Sequence, residues 1–200
     1  MKIDLPTYPA RPVSGGPLEK EQKSYGDWAY EPKYNGWRTV VHGPSGTMWN
    51  RHGKALSIQS DFQDALKRLK ELSAKTGIDF WDCEGLERRH NMMRGTLIVL
   101  DYLPLHEVGA TYLERKEWLI HELDCVSAKL VVSGKGIVIT CAFADQKNSL
   151  SFWDELKEQN KKLGTDFYEG VVKKRMDSVY PLQLLNPSQE FPFWIKHRFL

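Results

Sequence analysis

The 200-residue sequence has little of what marks a specialised class. Its cysteines are few and odd in number: Cys83, Cys125 and Cys141, without metal-ligand spacing. That excludes a disulfide scaffold and a cysteine zinc site, and fits a reducing, cytoplasmic compartment. Long apolar runs, a leader and lipidation motifs are absent, so no membrane partner is expected. Repeats and low-complexity tracts are missing too. The formal net charge is only +2, so nucleic-acid binding has to rest on local clusters. Gly134-Lys135-Gly136 lacks the spacing and the trailing Lys-Ser/Thr of a phosphate-binding P-loop. What is present is ordinary for a globular chain, 41% apolar and 27% charged, and long enough to bury one core.

Residues 1–27, with "YPARPVSGGPL", are rich in Pro and Gly and read as an extended lead-in. "WAYEPKYNGWRTVVHGPSGTMWN" reads as a β-hairpin turning at Asn35-Gly36, a type I′ signal, with a second turn at 44–46. Ser60 and Gln63 form a capping-box pattern before a helix with Phe62, Leu66, Leu69 and Leu72 on one face, closed near Gly77. Strands are expected at "FWDCEGL" and "TLIVLDYL". Thr111 and Glu114 cap a helix, "YLERKEWLIHELDC", and a third helix spans about 150–163 after a strand "LVVSGKGIVITC". "FYEGVVKKR" and "PFWIKHRFL" complete the strands. They outnumber the helices and do not alternate with them, which predicts an α+β fold with mainly antiparallel sheets flanked by helices.

Charged residues recur on these strands where apolar packing is expected. Glu31 and Lys33 share a face, with Arg38 beyond the turn. Arg51 sits in "WNRHG", Asp82 and Glu84 share a face in "WDCEG", Glu169 opens "EGVVKK", and Lys196 and Arg198 share a face in "WIKHR". Any one such stretch is the solvated side of a half-buried strand. Together they bring carboxylates and cations toward something negatively charged, with a divalent metal bridging carboxylate and phosphate oxygens. A lysine among other cations is depressed in pKa and becomes a nucleophile.

"KYNGWR" resembles the K-x-D-G-x-R signature of the covalent nucleotidyltransferase superfamily of ATP-dependent DNA ligases, RNA ligases and capping enzymes. "EPKYNGWR", "WNRHG", "DCEGL", "VLDYL", "EGVVKK" and "WIKHR" follow in that superfamily's motif order over residues 31–198. The resemblance is to an ATP-dependent DNA ligase. It implies a nucleotidyltransferase fold like a DNA ligase adenylation domain over 28–200. The C-terminal oligonucleotide-binding barrel of such enzymes is not in the sequence, as in a minimal ligase, a truncated form, or a core completed by a separate protein.

The same resemblance implies that Lys33 attacks the α-phosphate of ATP, expels pyrophosphate and holds AMP as a phosphoramidate. The AMP then passes to a 5′-phosphate, and a 3′-hydroxyl displaces it to seal nicked duplex DNA. Glu31 falls where the family contacts the adenine amino group, with Pro32 beside it. Arg38 falls at the ribose or nicked-strand phosphate, Arg51 at the nick 5′-phosphate, and Glu84 at the ribose. Glu169 falls near the expected Mg²⁺, and Lys196 and Arg198 at the α-phosphate. Lys174 matches the last "EGVVKK" position, but in an unbroken strand it faces away from Glu169. Lys173 reads as solvent-facing or a backbone-phosphate contact. His52 and His197 read as bystanders, and the tryptophans as core, with Trp37 the arguable exception.

The chain departs from the pattern at two of these positions. Asn35 replaces the usual aspartate, with the bend kept because Asn tolerates the left-handed region. Leu100 stands where an aromatic usually stacks on adenine, with Tyr102 two residues on and on the same expected face. The alternatives to a DNA ligase are an RNA ligase and a non-catalytic nucleotide- or nucleic-acid-binding module. A capping guanylyltransferase fits less well, because Glu31 suits an adenine amino group.

Overall fold

The computed structural model describes residues 3–21, 25–86, 93–123, 136–139, 144–184 and 186–199. Cys125, Cys141, Gly134, Lys135 and most of the strand expected at 130–141 lie outside them. In chain order the elements are β1 (Arg11–Ser14), β2 (Trp28–Tyr34), β3 (Trp37–His42), β4 (Thr47–Asn50) and α1 (Gln63–Thr76). Then follow β5 (Phe80–Leu86), β6 (Thr96–Tyr102), α2 (Tyr112–Glu122), β7 (Ile137–Ile139), α3 (Ser149–Leu163), β8 (Tyr168–Arg175) and β9 (Glu190–Arg198).

The strands make two sheets, β1-β9-β8-β2 and β4-β3-β5-β6-β7. Pairing is mainly antiparallel, with β1–β9 and β6–β7 parallel. β1 comes from the Pro/Gly-rich lead-in. The turn at 44–46 forms as expected between β3 and β4, with Gly46 at φ 70°.

The expected hairpin at Asn35-Gly36 is corrected. β2 pairs with β8, while β3 pairs with β4 and β5, so these two residues carry the chain from one sheet to the other. Neither adopts a positive φ, so no type I′ turn exists. Gly36 is needed for a different reason: a Cβ there would lie 2.7 Å from the Gly85 carbonyl oxygen. Asn35 donates its side-chain N–H to the Asp166 carbonyl at 3.2 Å, which an aspartate carboxylate could not do.

The Ser60–Gln63 capping box is also corrected. A 3-10 turn, Gln59–Phe62, leads into α1, whose N-cap is Phe62 without a side-chain cap. The Thr111–Glu114 box forms, with the Glu114 backbone N–H donating to the Thr111 hydroxyl and the Thr111 N–H to the Glu114 carboxylate. α1 and α3 end at Gly77 and Gly164, both left-handed.

Packing follows the periodicities. One core cluster joins Trp28, Tyr30 and Tyr34 of β2, Ile98 of β6 and Val171 of β8 to Phe152, Trp153 and Leu156 of α3. A second lies under α1 and α2, with Leu69 and Leu119 against Val41, Trp81 and Val99. A third gathers Ala10, Val40, Trp49, Tyr180 and Trp194. Trp28, Trp49, Trp81, Trp153 and Trp194 are buried, whereas Trp37 is 46% exposed.

Candidate active site

A cleft of about 650 Å³ is lined from both sheets. The four-stranded sheet contributes one wall in two rows across neighbouring strands. Lys33, Gly170 and Arg198 are register partners on β2, β8 and β9. Glu31, Val172, Lys196 and Ser14 form the next row, extending onto β1. With strands about 4.8 Å apart, side chains on neighbouring strands of a row stand at that spacing, and those of Lys33 and Arg198, on either side of Gly170, at about twice it. The five-stranded sheet supplies Arg38 of β3, its partner Glu84 of β5, and Leu100 of β6, while Arg51 and His52 lie on the turn after β4.

The structure brings together Glu31, Pro32, Lys33, Arg38, Arg51, Glu84, Leu100, Glu169, Lys174, Lys196 and Arg198 around this cleft. Tyr102 is not among them. Between Asp82 and Cys83 the β5–β6 register slips, so Leu100 becomes an extra, bulged residue. Ile98 and Leu100 face the α3-side core, and Tyr102 turns into the α1-side core, donating its hydroxyl to Glu107 at 3.0 Å. The expected shared face of Leu100 and Tyr102 is thereby corrected.

A second bulge corrects Lys174. Lys33 pairs with Gly170 but Tyr34 with Tyr168, leaving Glu169 extra on β8. Gly170 takes φ 140°, and a Cβ there would run into the His197 carbonyl. The parity change turns Glu169 and Lys174 to the same cleft although they are five positions apart. Lys173 then faces the other way and is fully buried, ion-paired to Glu21 and 4.3 Å from the Trp28 ring centroid, rather than solvent-facing. His197 is buried as well, its Nδ1 2.7 Å from the Gly16 carbonyl.

Lys33 is ion-paired through Nζ to Glu169, and Arg198 Nε lies 3.6 Å from the same carboxylate. Arg38 grips both Asp82 oxygens at 2.5 Å, and the Tyr180 hydroxyl donates to Asp82 at 2.7 Å. Lys196 Nζ donates to the Pro12 carbonyl at 3.0 Å. Desolvation, with Arg11, Arg198 and Lys33 as neighbouring cations, pulls the Lys196 pKa down against the opposing pull of Glu190. Glu84 accepts the Gly36 N–H at 3.1 Å. Burial pushes its pKa up to about 7, against the lowering influence of Arg38 and Lys33.

Glu31 sits at the closed end of the cleft and is 1% exposed. One oxygen accepts the Tyr112 hydroxyl at 2.7 Å and Lys116 Nζ at 2.6 Å, and the other meets Lys174 Nζ at 2.7 Å. Burial raises its pKa, but the two ammonium groups outweigh that and hold it down at about 2. Lys174 also lies 4.2 Å from the Trp194 ring centroid. Lys116 and Tyr112 escaped the strand-by-strand reading of the sequence. Their signal was helical: Tyr112, Arg115, Lys116 and Leu119 are the buried i, i+3, i+4, i+7 face of α2.

Among the described residues no cluster of three or more His, Cys, Asp or Glu side chains could enclose a metal. Glu169 lines the cleft, and a single carboxylate together with substrate phosphates is a donor set that Mg²⁺ accepts. No helix of the described residues is long and apolar enough to cross a membrane.

Searches against protein-family models and against curated protein sequences return no match. Solved structures do match. The chain aligns over 96% of its length with the ligase domain of LigD from M. tuberculosis, at TM-score 0.61 and 17% identity, spanning 59% of that chain. It aligns over 96% with a mycobacterial DNA ligase D complexed with ATP and MES, at TM-score 0.60 and 18% identity, spanning 60% of it. It aligns over 97% with Chlorella virus DNA ligase-adenylate, at TM-score 0.57 and 15% identity, spanning 68% of it. At these identities the likeness establishes the fold: the expected α+β, DNA ligase-like nucleotidyltransferase fold is the one observed.

Proposed function

We propose that the protein is an ATP-dependent polynucleotide ligase, acting on nicked duplex DNA through a lysyl-AMP intermediate on Lys33. The observation that carries this reading is the convergence of Lys33, Glu169, Lys196 and Arg198 on one cleft within a ligase-type fold. A match to a ligase complexed with ATP supports the choice of nucleotide.

In the proposed reaction the neutral Lys33 amine attacks the α-phosphorus of ATP. A P–N bond forms, the bond from α-phosphorus to the bridging β-phosphate oxygen breaks, pyrophosphate leaves with that electron pair, and the nitrogen releases one proton. Such transfers depend on alignment and on neutralising charge at the phosphoryl oxygens. Lys196 and Arg198 are suited to that role: among the described residues Lys196 makes no ion pair with a carboxylate, and Arg198 lies 3.6 Å from Glu169, the partner of Lys33. Glu169 holds the Lys33 Nζ in an ion pair, so the pair has to open for attack. Glu169 is the group that would hold Mg²⁺, which would neutralise charge on the phosphate oxygens, and Glu84 would meet the ribose. Leu100 and the aliphatic stem of Lys174 flank the base end, and Glu31 keeps lone-pair capacity for an adenine amino group. Arg51 and Arg38 would meet the polynucleotide.

The test is incubation with α-labelled ATP and Mg²⁺ followed by a denaturing gel. An acid-labile label is expected, lost in Lys33→Ala. Absence of label under every condition would leave a non-catalytic binding module instead. Nicked duplexes with DNA or RNA on each side of the break then separate a DNA ligase from an RNA ligase.

A further inference from the structure

Most cleft cations are already matched by a protein carboxylate: Lys33 and Arg198 by Glu169, Arg38 by Asp82, Lys174 by Glu31. Arg11 is not. It lies on β1, lines the cleft, and its guanidinium makes no hydrogen bond or ion pair among the described residues. Its ladder partner across β1–β9 is Glu190, yet the two form no ion pair. Next to it Lys196 has only a neutral carbonyl, that of Pro12, which follows Arg11 directly. The preceding carbonyl, Ala10, is 3.4 Å from Arg38 Nη2. The short strand is therefore held between Lys196 on one side and Arg38 on the other, with Arg11 between them. Glu190 acts on Lys196 only from beyond ion-pair distance, so the cations gathered here still repel one another, and an anion in contact relieves that repulsion.

We infer that Arg11 is a phosphate-binding residue and that with Lys196 it forms an anion subsite on the β1 side of the cleft. Arginine suits this task, because its fork of donors matches phosphate oxygens bidentately. Two substrate phosphates have this chemistry: the pyrophosphate end of the nucleotide and the 5′-phosphate of a nicked strand. That the anion is a substrate phosphate rests on the ligase reading; that the subsite takes phosphate does not.

The experiment uses the full chain and measures binding, not turnover. Calorimetry compares ATP and sodium pyrophosphate with AMP. Fluorescence anisotropy compares a nicked duplex carrying a 5′-phosphate with the same duplex carrying a 5′-hydroxyl. Arg11→Ala is expected to weaken one phosphate-dependent pair by about tenfold, leaving AMP and the hydroxyl duplex unchanged. Arg11→Lys should recover part of the loss, and Arg11→Gln serves if the alanine variant does not fold. Loss on pyrophosphate and ATP assigns the subsite to the nucleotide; loss on the 5′-phosphate assigns it to the polynucleotide. Equal phosphate dependence in wild type and variant on both ligands overturns the inference, as does a wild type with no phosphate dependence. If labelling of Lys33 fails while Arg11 still governs phosphate binding, the ligase reading falls and the subsite stands.

Discussion

The two ends of the cleft are built on opposite principles. At the closed end Glu31 is enclosed by Tyr112, Lys116 and Lys174, and every charge has a partner inside the protein. At the β1 side Arg11 and Lys196 make no ion pair with a carboxylate among the described residues, and Arg51, on the turn after β4, has His52 at 3.1 Å. The first end is completed by folding, the second by whatever binds. Buried charges are costly to strip of partners, whereas exposed charges contribute little to stability and much to recognition. Substitutions should therefore separate into those that unfold and those that unbind.

The largest effect expected is from Glu31→Ala, which leaves two buried ammonium groups facing each other. It should cost about 3–5 kcal/mol in urea denaturation. An unchanged midpoint would mean that the closed end is not held by this carboxylate. Next comes pH. Glu31 falls from an ordinary 4.5 to about 2 on folding, so its contribution is in place above pH 4.5 and lost as pH falls toward 2. Glu84 has the opposite sign: raised to about 7, it stays protonated in the folded state, so stability declines as pH rises from 4.5 to 7. Glu84→Gln should flatten that decline in melting curves taken across this window, and a slope identical to wild type would remove Glu84 as its source. Tyr112→Phe, which deletes one buried donor to Glu31, should cost about 1 kcal/mol. The smallest effect on folding belongs to Arg51→Ala, within about 0.5 kcal/mol, although it should lower the salt slope of nicked-duplex binding by about 1. A destabilised Arg51→Ala would erase the contrast between the two ends.

Features set by local periodicity were legible in the sequence. The strand read at "FWDCEGL" is β5, the helix expected over about 150–163 is α3, and the Thr111–Glu114 box caps α2. What escaped depends on partners far along the chain. Asn35-Gly36 carries an ordinary hairpin signal, yet β8 and β5 claim its two flanks. Neither bulge is visible locally, because an extra residue shows only against its partner strand; hence Tyr102 and Lys174 were each assigned to the wrong face. Lys116 was hidden differently. A lysine on a helix reads as solvated until a buried carboxylate such as Glu31 comes to face it.

Only two residues separate the strand bearing Lys33 from the strand bearing Arg38. A linker that short reaches roughly 10 Å at full stretch, so the two walls cannot part there. They are pinned elsewhere too: Ile98 of β6 packs in one cluster with Val171 of β8, and Arg38 of β3 reaches the Ala10 carbonyl beside β1. Lys33 and Arg38 therefore stand like fixed posts on facing banks, and an incoming molecule has to fit the channel as it is built.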